Sequence, residues 1–102
     1  SDLMVSLDMW VKVTGAGTGS FPILTGFASN VLLGTNPQSV VFSGWTVLET
    51  ITKNAGDVAW MRVRTDAPIR VPGGATHWQI RFGLWATPNV NVHIDEVNVS
   101  HW

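Results

Sequence analysis

The chain has no cysteine. Disulfide scaffolds, cysteine nucleophiles and cysteine zinc sites are excluded together. The compartment stays open, because many secreted bacterial and viral β-domains lack cysteine. Tyrosine is also absent, and charged residues make up only 13% of the chain, about half the usual share. The surface must therefore be covered largely by Thr, Ser, Asn and Gly. With a net charge of −1 and its Lys and Arg scattered, the chain has no basic stripe for nucleic acid. No apolar run reaches the roughly 18–20 residues of a membrane helix, so no membrane insertion is expected. The N-terminus lacks the charged and apolar regions of a signal peptide. Helical periodicity is missing too: no stretch repeats apolar residues at i, i+3, i+4 and i+7 over three turns.

Short strand signals separated by Gly, Pro, Asn and Asp take its place. Leu3 to Thr14 alternates cleanly, with Leu3, Val5, Leu7, Met9, Val11 and Val13 on one face. Gly15 to Ser20 is a loop. Phe21 to Ala28 and Val31 to Leu33 are weaker candidates, interrupted by Pro22 and Gly26. Val40 to Phe42, Trp45 to Lys53, Val58 to Thr65 and Trp78 to Ala86 follow, and Asp66 to Thr76 reads as mostly loop. In the last strand, Val90 to Val99, the alternation slips by one residue at Ile94-Asp95-Glu96-Val97. Ile94 and Val97 can both point into a core only if a bulge supplies an extra residue. The 102 residues read as one domain of about seven or eight antiparallel strands, a sandwich or barrel.

Four pieces, in order, resemble the galactose-binding-like jelly-roll β-sandwiches of carbohydrate-binding modules. They are Val5-Ser-Leu-Asp-Met-Trp-Val-Lys12, Ser43-Gly-Trp-Thr-Val-Leu-Glu-Thr-Ile-Thr52, Trp60-Met-Arg-Val-Arg64 and Val92-His-Ile-Asp-Glu-Val-Asn-Val99. Such modules usually carry a further strand or two before the first of these, so a segment of a longer polypeptide, or a domain completed by a neighbour, is expected. The same fold recurs in secreted polysaccharide-degrading enzymes and in phage tail and head-decoration proteins. The resemblance implies binding of a polysaccharide or cell-surface glycan, without catalysis, outside the cell or on a virion surface. It also implies a possible structural calcium, for which Asp95 is the candidate ligand.

Strand parity sorts the six tryptophans. Trp10 points away from the apolar face of the first strand. Trp60, Arg62 and Arg64 lie opposite the core pair Met61 and Val63. Gln79, Arg81 and Trp85 lie opposite Ile80 and Phe82, and Asn91, His93 and Asp95 lie opposite Val92 and Ile94. If these strands share a sheet, its outer face mixes indole rings with planar polar groups. The apolar face of a pyranose stacks on an aromatic ring, and its hydroxyls need fixed donors and acceptors. Trp10, Trp60, Arg62, Arg81, Trp85 and His93 are therefore the candidate ligand-binding residues. Trp45, Trp78 and Trp102 are read as packing or interface residues. His93 and Asp95 supply two metal-capable groups, short of the three or four a zinc site needs.

Catalysis finds little support. A glycosidase needs two carboxylates across a cleft, and neither G-x-S-x-G nor a phosphate loop is present. The competing reading is a structural virion component, a decoration or tail protein that uses the sandwich for assembly, with its tryptophans buried against neighbouring subunits.

Overall fold

The computed structural model describes residues 3–29, 31–32 and 34–102. It is all-β: seven strands in two antiparallel sheets packed as a sandwich. In the first sheet β1 (Met4–Thr14) runs down the middle. The strand β7 (Asn91–His101) flanks it along one side, while β4 (Val58–Arg64) and β5 (Ile69–Arg70) lie end to end along the other. In the second sheet β2 (Gly19–Ser29) is central, between β3 (Ser43–Lys53) and β6 (Ala75–Phe82). The chain crosses between sheets after β1, β3, β5 and β6.

The alternation in β1 is what commits it to the centre. Leu7, Met9, Val11 and Val13 are buried, and they meet Phe21 and Ile23 of β2, Ile51 of β3 and Val63 of β4. Each such side chain removed from water contributes about 1.5–3 kcal/mol. Pro22 does not break β2, because the strand runs unbroken from Gly19 to Ser29 with Pro22 opposite Thr50. Thr25 is fully buried between Ile23 and Phe27. Lys53 is buried as well, and its Nζ donates to the carbonyl of Asn54 at 3.1 Å.

Four expectations change. Val31 and Leu32 are not in a strand, and Leu33 lies outside the described residues. Val40 to Phe42 is irregular, preceded by a single 3-10 turn at Pro37–Ser39. The strand expected over Trp78 to Ala86 runs instead from Ala75 to Phe82 and ends in a 3-10 turn at Leu84–Ala86. The loop expected over Asp66 to Thr76 contains the two-residue β5, which pairs with Met4 and Val5.

The bulge in β7 is present. Trp10 pairs with Asp95 and Asp8 with Asn98, so two residues of β7 oppose Met9 alone, and Glu96 takes a φ of 51°. The expected burial does not follow. Ile94 is 46% exposed and Val97 52% exposed. Ile94 sits opposite Val11 and so faces the same side as the core, yet it is left uncovered, whereas Val92 earlier in the same strand packs on the core.

Candidate ligand-binding face

The expected site residues divide between two faces. Trp10 has Arg62 on one flank and Asp95 on the other, and Lys12 is opposite His93. Trp10, Trp60, Arg62, His93 and Asp95 therefore share the outer face of the first sheet. Arg81 is on β6 in the second sheet, and Trp85 follows it in the 3-10 turn. The six candidate residues cannot form one site, because the core separates the two groups.

On the first face the polar groups are turned toward one another. Arg62 Nε donates to Asp8 Oδ1 at 2.9 Å, and Nη2 donates to Oδ2 of the same carboxylate. The hydrogen bond from Arg62 is the main cause that holds the Asp8 carboxyl below its ordinary pKa; desolvation opposes it, and the nearby charges of Arg62 and Arg64 add to the lowering. The same pairing raises Arg62. His93 Nε2 is 2.9 Å from Thr14 Oγ1. Asp95 Oδ1 accepts the Glu96 N–H at 2.8 Å, which pins the bulge. Calcium takes six to eight oxygens. Among the described residues no group of three or more His, Cys, Asp or Glu side chains converges.

The second face is built differently. Along β6 the residues facing away from the core are His77, Gln79 and Arg81, since Trp78, Ile80 and Phe82 pack inward. Trp45 reaches from β3 across the central strand. Its indole lies on Gly26, where a Cβ would come within 2.8 Å of Trp45 Cε3. Only a glycine leaves room for a ring laid so close to the sheet. The Arg81 guanidinium carbon sits 4.4 Å from the Trp45 ring centroid, a cation–π contact. Arg81 Nη2 also donates to Gln79 Oε1 at 2.9 Å. Ring and amide together fix the plane of the guanidinium.

Four residues beyond Arg81, Trp85 folds over Gly83 beside Pro22, and a Cβ at Gly83 would come within 2.5 Å of its ring. The indole remains 73% exposed. At the other end of the same row, Val31, Thr35, Val40 and Phe42 line a groove of about 110 Å³ together with His77 and Gln79 of β6. Phe42 and Trp45 meet at 6.4 Å between centroids. A wider crevice of about 290 Å³ opens between Thr46–Leu48 and Arg64–Ile69, but no aromatic ring lines it.

The sequence reading of Trp45 as a packing or interface residue does not include its part in this face. Trp45, Val47, Glu49, Ile51 and Lys53 share one parity, so the buried Ile51 suggests that Trp45 is buried too. A bulge intervenes: Glu49 opposes Ile23 and Val47 opposes Leu24, leaving Leu48 as the extra residue. Everything before it turns over, so that Leu48 packs on the core and Trp45 faces out. Trp78 does pack, stacked on Phe27 with centroids 6.3 Å apart.

No family model matches the chain, and searches of curated proteins and of solved structures find no match.

Proposed function

We propose that this domain is a non-catalytic glycan-binding module, of the jelly-roll kind its sequence resembles, and that the glycan lies along the outward row of β6. The observation that carries this reading is Arg81, whose guanidinium is held in a fixed plane by Trp45 and Gln79, two residues before Gly83, over which the exposed Trp85 ring folds. A sugar needs an open aromatic surface for its C–H face and oriented donors for its hydroxyls. Trp85 supplies the first and Arg81 the second. Orientation before binding matters, because immobilising a free side chain costs about 0.5–1.5 kcal/mol. The setting we propose is a phage virion protein or a secreted enzyme, acting outside the cell or on the virion surface.

Affinity electrophoresis in gels containing cell-wall polysaccharides tests the assignment. Wild type is retarded by at least one polymer, and Trp85→Ala loses most of that retardation. Trp60→Ala, on the opposite face, retains it. Absence of retardation across a broad polysaccharide panel sinks the reading, and loss on Trp60→Ala alone moves the site to the first sheet.

The alternative, a structural component of a virion, draws support from a different part of the molecule, the flank formed by β7.

A further inference from the structure

The eleven-residue strand β7 pairs with β1 along nearly its whole length and, among the described residues, with no other strand. Its outer edge therefore presents a row of backbone N–H and C=O groups without strand partners. The same edge is also incomplete in its side chains. Ile94 is opposite Val11 and Val99 is opposite Leu7, so both point to the core side of the sheet. Val11 and Leu7 are 0% and 2% exposed, whereas Ile94 and Val99 are 46% and 51% exposed. Val97, on the bulge between them, is equally open. Val90 and Val92, earlier in the chain, do pack on the core. The uncovered stretch is thus confined to the half of β7 that begins at Ile94.

An edge of alternating donors and acceptors above an apolar rim is matched by one kind of ligand, an extended polypeptide. A glycan or lipid has no such repeat of N–H and C=O groups. The chemistry at the centre of the strand narrows the choice. Asp95 and Glu96 are adjacent, both exposed, and the bulge holds Glu96 at φ 51°. Antiparallel pairing of β7 with a second copy of itself, Val92 against Val99 and Ile94 against Val97, would set four carboxylates together at the centre. Like charges directly opposite destabilise a strand pair. A basic side chain at that position would be favoured instead.

We infer that the outer edge of β7 is a docking site for one extended strand of a partner polypeptide. That strand places alternate apolar residues over Ile94, Val97 and Val99 and a Lys or Arg against Asp95–Glu96. This inference stands apart from the glycan reading, since it uses the other sheet.

The probe is a pair of synthetic eleven-residue peptides of alternating Val and Thr, one with a central Lys and one with a central Glu in its place. Binding is followed by NMR and amide hydrogen exchange on the intact 102-residue chain. The Lys peptide is expected to bind at least tenfold more tightly than the Glu peptide, and to protect those β7 amides that are not bonded to β1. The variant Glu96→Lys, whose change is confined to an exposed side chain, is expected to reverse the preference. The proposal is overturned if neither peptide binds, if both bind equally, or if protection falls on β3 or β6. It is also overturned if sedimentation shows a dimer that Val97→Lys dissociates, which would make a second copy the occupant. Retardation by polysaccharide is unaffected in every arm, so failure here leaves the glycan reading standing.

Discussion

The outer faces of the two sheets use the same residue types to opposite ends. Each has exposed tryptophan, arginine and a planar polar partner. On the first sheet, Arg62 spends its fork on Asp8, and the pair closes on itself. On the second, Arg81 is held by a ring and a neutral amide, which orient its charge without neutralising it. The glycines differ as well: Gly26 and Gly83 let two indoles lie down on the second sheet, and the first sheet has no counterpart beneath Trp10 or Trp60. Residue composition alone therefore does not mark a binding face. What separates the two is whether the polar groups are already satisfied by one another.

The comparison is broken most severely at Gly26. Gly26→Val puts a side chain where Trp45 lies, so the indole and Arg81 must both leave their positions. Overpacking of this kind costs about 1–3 kcal/mol. Chemical denaturation should show that loss, and polysaccharide retardation should vanish with it. A variant that keeps full binding would show that the Trp45–Arg81 arrangement is not the site. The next largest effect separates the two arginines. Arg81→Ala should weaken binding about tenfold, ~1.4 kcal/mol, in isothermal titration, while Arg62→Ala leaves affinity unchanged. The reverse result exchanges the roles of the two faces. The smallest effect belongs to Asp8→Asn. Because Asp8 titrates below its ordinary value of 3.8 in the folded chain, its ionised form stabilises the fold fully above that value. The contribution is lost as pH falls through the lower folded value. Melting curves of wild type and Asp8→Asn should differ slightly at neutral pH and converge in acid. The pair is exposed, so the difference is small.

Much of the first sheet was legible in the sequence. The unbroken alternation of β1 fixed its buried side, and the spacing of Ile94 and Val97 required a bulge, which the structure places at Glu96–Val97, opposite Met9. Both are local consequences of a period of two. The second face was legible only in part. The row of His77, Gln79 and Arg81 follows from the parity of β6, but Trp45 was hidden by a bulge with no compositional mark at Leu48–Glu49. Trp85 faces outward because the 3-10 turn folds it back over Gly83, rather than by strand parity. Assignment of all six candidates to one site failed because pairing between strands is a long-range property. Nothing within β6 tells which sheet it joins. The exposure of Ile94 and Val97 escaped for a similar reason. Parity gives direction, and burial depends on cover from elsewhere in the fold.

The pairing of β1 with β7 also bears on how the molecule is made. Val5 is matched to His101 and Thr14 to Asn91, so one whole flank of β1 waits for nearly the last residues of this sequence. The second sheet has no such delay on its β3 side, since β2 and β3 are neighbours in the chain. During synthesis, which proceeds from the N-terminus, β2 and β3 can pair while β1 still lacks β7. Closing so long a loop is entropically costly and slows folding. Until β7 emerges, the apolar row of β1 depends on β4 and the second sheet for cover, and transiently uncovered apolar surface and strand edges favour misassociation.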